Sequence, residues 1–184
     1  TAPSNRVISN VAVSSPGTAP LADRRAARIA AMTDALQAAH LDALLITGLA
    51  NIRYLTGFSG TSALVLVTAR ELLFITDFRY QTQVETEVGA LGRLRIEPQS
   101  LWAGLWQMLR QLGTIEVIGF EAAHLLHRDF QRLLESGVRW QWRPTTDLVE
   151  QLRERKDPDE VELIARAGSV AVRALEATLP VMRA

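Results

Sequence analysis

Short, continuous apolar runs predict the strands of this chain. Ala43 to Ile46 and Ala63 to Val67 are the clearest, and such runs are typical of strands that are covered on both faces. Leu72 to Thr76 follows the second run across a four-residue turn, which predicts a hairpin. Ile115 to Gly119 predicts a further buried strand.

Two other segments alternate between apolar and polar residues. Leu94 to Glu97 predicts an exposed edge strand that ends at Pro98, because proline cannot donate a hydrogen bond to a neighbouring strand. Val138 to Trp142 predicts a last strand whose three apolar side chains face one way.

Between the strands, apolar residues recur at three- and four-residue steps, which predicts helices. Asp77, Ser100 and either Thr145 or Thr146 are placed to cap helix starts, and His40 is placed to end the first helix in a left-handed conformation. The predicted helices cover roughly residues 23–40, 78–88, 101–112, 128–135, 148–152 and 157–179.

The last helix carries the clearest local signal. Asp157 can cap it, Pro158 suits its first position, and Glu160 can reach back from the third. Its apolar stripe is long and needs a cover, so we expect it to pack against a second copy of the chain or against the chain's own first domain. The stripe consists of Val161, Ile164, Ala165, Gly168, Ala171, Val172, Leu175 and Leu179.

These patterns predict an α/β fold, in which a mixed sheet of about six strands has helices on both faces and a long C-terminal helix follows. Residues 1–20 are rich in Ser, Ala, Pro and Asn without any period, which predicts a tail. We expect one domain over residues 21–156 and the final helix within residues 157–184.

The amino-acid composition narrows the range of possible functions. Lys plus Arg and Asp plus Glu both number 20, and this balance argues against a nucleic-acid-binding surface. No apolar run approaches the ~20 residues that span a membrane, and Val7 to Val13 is too polar for a signal-peptide core. We expect a cytoplasmic protein. The chain has no cysteine, which excludes disulfides and thiolate metal sites.

The stretch from Asn51 to Gly60 connects the first two apolar runs. Its first half fits a short helical turn, and Gly57 and Gly60 give the backbone freedom on both sides of Phe58. An aromatic residue on such a loop either presents an apolar contact to another molecule or caps the end of the sheet. The spacing leaves both interpretations open.

This decapeptide, Thr76-Asp77-Phe78-Arg79-Tyr80 and Arg153-x-x-Lys156-Asp157-x-x-Glu160 together resemble the amino-terminal domain of the creatinase, prolidase and Xaa-Pro aminopeptidase family. The three motifs occur in the family's order and spacing, and the similarity extends from about Asp23 to the end of the chain. The resemblance implies a creatinase-type, ribonuclease-H-like domain over residues 21–156. It also implies that residues 157–184 contain the first helix of a catalytic domain that is otherwise absent from this sequence.

In that family, a following "pita-bread" domain holds paired metal ions with two Asp, one His and two Glu. There, metal-activated hydroxide cleaves the bond between an amino-terminal residue and proline. The resemblance implies two manganese, cobalt or zinc ions in the parent protein, and no catalytic residue, metal site or cofactor in this chain. A creatinase-like amidinohydrolase domain and a non-catalytic binding module remain alternatives.

The resemblance further implies that this domain closes one side of the substrate cleft, often that of a dimer partner. The expected partners are therefore the missing catalytic domain, a second copy bound through the C-terminal helix, and short proline-containing peptides. Arg53, Tyr54, Phe58 and Ser59 are expected at the cleft rim, where Arg53 can meet a substrate carboxylate and Phe58 an apolar side chain. Arg53 and Tyr54 fit equally well a role in packing the loop onto the sheet.

The histidines raise a second possible site. His124 and His127, with Glu121 and Asp129 nearby, have a spacing that a helix can use to bind a metal. They lie where a strand should pass into a helix, and no third ligand has suitable spacing. We therefore expect two loop histidines with solvent or backbone partners.

Other conspicuous residues fit structural roles. Trp102 and Trp106 are expected to pack in a core or interface, because no basic residues are interleaved with them. Arg24, Arg25 and Arg28 are expected to form a solvated helix face. The buried strands carry almost no carboxylates, which argues against a nuclease of ribonuclease-H type.

Overall fold

The computed structural model describes residues 21–182, and the tail predicted for residues 1–20 lies outside them. The described chain divides into two units, residues 21–156 and a unit that contains residues 157–182. The strands are β1 (Ala43–Ile46), β2 (Ala63–Thr68), β3 (Leu72–Asp77), β4 (Arg93–Glu97), β5 (Val117–Glu121) and β6 (Gln141–Thr145). The helices are α1 (Leu21–Ala38), α2 (Leu49–Thr56), α3 (Gln81–Glu87), α4 (Leu101–Gln111), α5 (His127–Ser136), α6 (Leu148–Glu154) and α7 (Pro158–Met182).

The six strands form one mixed sheet in the order β4-β3-β2-β1-β5-β6. Only β2 runs antiparallel to its neighbours, whereas the β3–β4, β1–β5 and β5–β6 pairs are parallel. Five strands therefore end at one end of the sheet, where β2 begins. The predicted hairpin, edge strand and mixed sheet are all confirmed.

Helices cover both faces of the sheet, as predicted. Along β1, Leu44 and Ile46 point to the face that packs against α1, α2, α3 and α6. Ala43 and Leu45 point to the opposite face, where α4 and α5 pack. Every residue of β1 and β2 is buried, which explains why these strands are continuous apolar runs.

The first helix ends near His40, as predicted. This residue has a left-handed φ of 54°, which few side chains adopt easily. Its N–H donates to the carbonyl of Gln37, and the N–H of Leu41 donates to that of Leu36, at 3.1 and 3.0 Å. These two bonds satisfy carbonyls at the helix end in the manner of a Schellman motif.

The predicted helix starts at Asp77 and Ser100 are also confirmed. The Asp77 carboxylate accepts from the N–H of Arg79, and a 3₁₀ turn over Phe78–Tyr80 leads into α3. The Ser100 hydroxyl accepts from the N–H of Ala103 at the start of α4.

The C-terminal helix α7 begins with the predicted capping box. The N–H of Glu160 donates to Asp157, and the N–H of Asp157 donates to Glu160, both at 2.9 Å. The helix extends to Met182, slightly beyond the predicted end. None of its residues from 158 to 182 is buried, so the predicted apolar stripe is exposed to solvent.

The prediction for the last strand was wrong by about three residues. The backbone before β6 forms a turn in which the N–H of Trp140 donates to the carbonyl of Gly137, and Val138 is 80% exposed. Strand pairing starts at Gln141, whose N–H donates to the carbonyl of Glu116. The alternation of apolar residues thus reflects a turn that inserts Trp140 into the core.

The start of α6 also differs from the prediction. Thr145 is the last residue of β6, and Asp147 occupies the cap position with a left-handed φ of 57° and no side-chain cap bond. The predicted threonine cap was therefore wrong.

The tryptophans pack together, as expected for Trp102 and Trp106. Trp106 stacks on Trp140 with ring centroids 6.1 Å apart, and Trp142 meets both rings nearly edge-on. These residues are all four tryptophans of the chain. Trp140 is buried in the core between α4, α5 and the sheet, and the other three are partly buried and pack against this core.

Within residues 21–182, no helix combines the length and the apolar character that crossing a membrane requires.

Candidate functional site

The loop after α2 is held in place by Phe58. Gly57 adopts a left-handed φ of 82°, and the chain then turns so that Phe58 is 1% exposed. Its ring meets those of Phe74 and Tyr80 edge-on, with centroids 5.0 and 5.4 Å away. A Cβ at Gly60 would lie 2.3 Å from the Phe58 ring, so this close packing requires glycine.

Phe58 thus caps the end of the sheet, which was one of the two interpretations that its spacing allowed. The ring supports the loop from within the core. In this conformation, the suggested contact between the Phe58 ring and a substrate side chain is not available.

Ser59 lies on the outside of the same loop, in a polar group that we call the rim cluster: Arg53, Ser59, Gln83 and Glu87. The N–H and hydroxyl of Ser59 donate to the two carboxylate oxygens of Glu87, at 2.8 and 2.7 Å. The amide of Gln83 donates to the Ser59 hydroxyl at 2.9 Å. These bonds fix the loop against α3, while the side chains of Arg53 and Ser59 remain exposed.

The charge of Glu87 completes the rim cluster. Burial raises the pKa of the Glu87 carboxyl, but hydrogen bonds from Ser59 and Gln83 and the positive charge of Arg53 outweigh burial, so the pKa is lowered overall. Glu87 is therefore ionised at neutral pH. Arg53 is exposed, and its positive charge contributes to the lowered pKa of this carboxyl.

Tyr54 packs α2 against its neighbours. Its hydroxyl donates to the carbonyl of Leu152 in α6 at 3.1 Å. The Arg28 guanidinium lies 4.0 Å from the centroid of its ring and donates to the carbonyl of Tyr54 at 2.7 Å. These contacts give Tyr54 a role in packing α2 against α1 and α6, which was one of the two roles considered for it.

Arg24, Arg25 and Arg28 are all only partly exposed, so the expectation that they form a solvated helix face was wrong. Arg25 donates to the carbonyl of Thr56 at 2.8 Å and also to that of Glu87. These are the last residues of α2 and α3, where unpaired carbonyls and the helix dipole favour a cation. Arg25 therefore fixes the two helix ends that carry the rim cluster.

A second polar group surrounds Asn51, which is completely buried at the start of α2. Its amide N–H₂ donates to Glu121 and to Glu150, both at 2.6 Å, and its carbonyl accepts from Arg153 at 2.8 Å. The other oxygen of Glu121 accepts from the N–H groups of Thr47 and Gly48, both at 2.7 Å. We call Asn51, Glu121, Glu150 and Arg153 the Asn51 network.

The Asn51 network joins elements that are distant in sequence. Glu121 ends β5, Asn51 lies in α2, and Glu150 and Arg153 lie in α6. Buried polar groups are stable only when they are paired, and here each group has a partner of complementary charge or hydrogen-bonding character. The network thereby sets the position of α2 and of the loop that follows it.

His124 extends this network at its exposed side. Its Nε2 lies 2.9 Å from a carboxylate oxygen of Glu150. Burial raises the pKa of Glu150, but hydrogen bonds from Asn51 and His124 lower it more, so the pKa is below its usual value. The expectation of a solvent or backbone partner was wrong for His124, because its partner is a carboxylate.

Of the four residues considered for a metal site, the structure brings two together and places the other two elsewhere. His124, Glu121 and also Glu150 offer ligand atoms that all lie within 4.8 Å of one another. His127 instead opens α5, and Asp129 accepts a hydrogen bond from Arg132 at 2.7 Å. The group of three contains no aspartate, so it does not fit the set of two Asp, one His and two Glu that holds paired metal ions in the resembled family.

Asp77 and Arg79 have the structural role of an ion pair at a helix start. Two nitrogens of Arg79 donate to the two carboxylate oxygens of Asp77, both at 2.8 Å. The hydrogen bond from Arg79 lowers the pKa of Asp77 from 3.8 to about 2.

Sequence reasoning missed three residues of these groups: Gln83, Glu87 and Glu150. Glu87 lies 28 residues from Ser59, and Glu150 lies 99 residues from Asn51. Each is a polar residue on a short helix, where a solvent-exposed position is the usual expectation. No pattern in the sequence distinguishes them, since only the packing of α3 and α6 brings them to their partners.

Comparisons with known proteins identify the family and the fold. The sequence profile of the Creatinase/Prolidase N-terminal domain matches residues 28–155. The uncharacterized peptidase YqhT of Bacillus subtilis is 28% identical over 143 residues, which are 78% of this chain and 40% of that protein.

Two solved structures show the same fold. The Xaa-Pro dipeptidase from Bacillus anthracis has a TM-score of 0.79 at 27% identity, over 85% of this chain and 43% of that one. The N-terminal domain of the cytoplasmic peptidase PepQ from Mycobacterium tuberculosis has a TM-score of 0.63 at 31% identity, over 68% of this chain and 98% of that one. This chain thus spans less than half of the two longer relatives and nearly all of the isolated PepQ domain. It belongs to the Creatinase/Prolidase N-terminal domain family.

Proposed function

We propose that this chain is the non-catalytic amino-terminal domain of a metal-dependent Xaa-Pro peptidase. The parent protein hydrolyses the bond between an amino-terminal residue and proline. The observation that carries this proposal is the family membership over residues 28–155, together with structural similarity to an Xaa-Pro dipeptidase of which this chain covers 43%.

The chemistry of the described residues supports a non-catalytic role. Within residues 21–182, Glu121, His124 and Glu150 are the one group of three or more His, Asp or Glu side chains close enough to share an ion. It differs from the paired-metal set in number and type of ligands. The two divalent ions of the parent enzyme, which supply the attacking hydroxide, are therefore assigned to its catalytic domain.

The rim cluster is the part of this domain that faces the substrate. Arg53 is exposed, and its guanidinium is suited to the terminal carboxylate of a short peptide. The bonds from Ser59 and Gln83 to Glu87 hold the adjoining loop rigid, so Arg53 is presented from a fixed surface. Two residues hold this surface in place from inside the domain. Tyr54 bonds to α6, and Phe58 packs in the core of the sheet.

The C-terminal helix provides the contact to the rest of the enzyme. Its apolar residues Val161, Ile164, Val172 and Leu175 are each more than half exposed, which suits a surface that the catalytic domain or a second copy covers. We assign the parent enzyme to the cytoplasm, as the name of the similar Mycobacterium tuberculosis peptidase suggests.

The rim assignment is tested by steady-state kinetics of the full-length enzyme with an Xaa-Pro tripeptide. Arg53→Ala should raise KM roughly 2- to 30-fold with little change in kcat, since a partly exposed ion pair contributes about 0.5–2 kcal/mol to binding. The same tripeptide with an amidated carboxyl end should show no such difference.

The matched control is Arg110→Ala, which removes an exposed arginine from α4 on the opposite face of the sheet. It should leave KM unchanged for both peptides. Equal effects of the two arginine variants, or an equal effect of Arg53→Ala on the free and amidated peptides, would contradict the rim assignment.

A further inference from the structure

We propose that Glu121, His124 and Glu150 form a binding site for one zinc ion, which joins the end of β5 to α6. We call these three residues the Glu-His-Glu site. The inference concerns this domain alone and does not depend on the proposed peptidase function.

The geometry of the side chains suits a single ion. The ligand atoms lie within 4.8 Å of one another, and the Nε2 of His124 is 2.9 Å from an oxygen of Glu150. Ligands that bind zinc tetrahedrally at about 2.1 Å lie roughly 3.4 Å apart. The side chains of His124 and Glu150 are 37% and 29% exposed, so small rotations of these two are enough to surround the ion beside the buried Glu121 carboxylate.

The local charge favours a divalent cation. One small cavity is lined by Glu121, Glu150, Asp147 and His124. Its volume of about 10 Å³ is close to the smallest volume that holds one water molecule. Arg153 reaches this group through Asn51 and offsets one of the three carboxylate charges. A divalent ion balances the remaining two.

Two of the ligands are already held in place by neighbouring groups. The Glu121 carboxylate accepts from two backbone N–H groups and from Asn51, which fixes its orientation. The His124 ring packs on Gly48, where an added Cβ would lie 2.8 Å from the ring. Such supporting contacts to metal ligands raise affinity, because the ligands need less ordering when the ion binds.

The type of ligand selects the ion. A carboxylate oxygen has two lone-pair positions, so Glu121 and Glu150 can bind an ion while they keep their hydrogen bonds from Asn51. The ion replaces the hydrogen bond between His124 and Glu150, because the Nε2 atom becomes its ligand. One imidazole nitrogen with carboxylate oxygens suits zinc, whereas magnesium and calcium prefer oxygen ligands alone. This set of ligands therefore favours zinc, and water completes the coordination of the ion.

The test is a zinc titration of the whole chain, followed by nitrogen NMR of its imidazole groups. The chain has three histidines, His40, His124 and His127, so each resonance can be assigned with a single alanine variant. We expect one zinc ion per chain and a shift of the Nε2 resonance of His124 alone. Magnesium at the same concentration should shift none of the three resonances.

Three variants complete the experiment. His124→Ala and Glu150→Gln should each weaken zinc binding at least tenfold, whereas His127→Ala should leave the affinity unchanged. Tryptophan fluorescence of each variant reports whether the domain is folded. A titration that shifts His127 or His40 instead, that leaves His124 unshifted at millimolar zinc, or that gives the same affinity for a folded His124→Ala protein would overturn the proposal.

Discussion

Replacing Asn51 with alanine tests whether the Asn51 network stabilises the domain. The side chain is completely buried and makes three hydrogen bonds to the charged groups of Glu121, Glu150 and Arg153. Asn51→Ala removes all three at once and leaves the charges without their shared partner.

The expected loss follows from the burial of each partner. A hydrogen bond to a charged group contributes about 1.5–3 kcal/mol when its loss leaves the partner buried and unpaired. Glu121 is 5% exposed but keeps two backbone donors, and Glu150 and Arg153 are partly exposed, so water can replace part of what they lose. We therefore expect Asn51→Ala to lower the free energy of unfolding by about 3–4 kcal/mol, less than three full bonds.

Urea denaturation followed by tryptophan fluorescence measures this loss. All four tryptophans lie within residues 21–156, so the signal reports on the unit that contains the network. With a slope of about 2 kcal/mol per M, the midpoint should fall by roughly 1.5–2 M urea. The matched control is Gln151→Ala, an exposed residue beside Glu150, which should stay within about 0.5 kcal/mol of the unaltered chain. An Asn51→Ala protein as stable as this control would refute the reasoning.

Three further predictions concern single positions. His40→Gly should raise the free energy of unfolding by about 1 kcal/mol in the same assay, because the left-handed φ of 54° strains a residue that has a Cβ; unchanged or lower stability would contradict this. Asp77→Asn should cost about 0.5–1 kcal/mol at pH 7, because it removes the ion pair with Arg79. Since the pKa of Asp77 is lowered from 3.8 to about 2, this stability is present above pH 4, and the difference between the two proteins should vanish as the pH falls towards 2; a difference independent of pH would contradict the assignment. Leu133→Ala should cost about 2–5 kcal/mol and its neighbour Leu134→Ala less than about 0.5 kcal/mol, because the first side chain is 0% and the second 52% exposed; similar losses in urea denaturation would contradict the placement of α5.

Features that depend on neighbouring residues could be predicted from the sequence. The apolar runs of β1 and β2 identify strands because both of their faces are buried. The helix end at His40 and the capping box at Asp157 depend on bonds that reach only three to five residues along the chain. The succession of these strands and helical segments then predicted the mixed sheet with helices on both faces.

Features that depend on distant partners could not be predicted. The start of β6 is fixed by pairing with β5, and alternation alone placed the strand too early. Arg25 caps the ends of α2 and α3, which are 31 and 62 residues away, although its position in the sequence suggested a solvated face. His124 meets Glu150 only because β6 returns beside β5 and places α6 against α2.

The central claim is that this domain shapes the substrate cleft of an Xaa-Pro peptidase and leaves the bond cleavage to another domain. The most direct measurement compares hydrolysis of an Xaa-Pro peptide by this chain with hydrolysis by the product of the complete reading frame, both with added manganese or cobalt. We predict turnover by the product of the complete reading frame and none by this chain. Release of the amino-terminal residue by this chain alone, or no turnover by either protein, would contradict the claim.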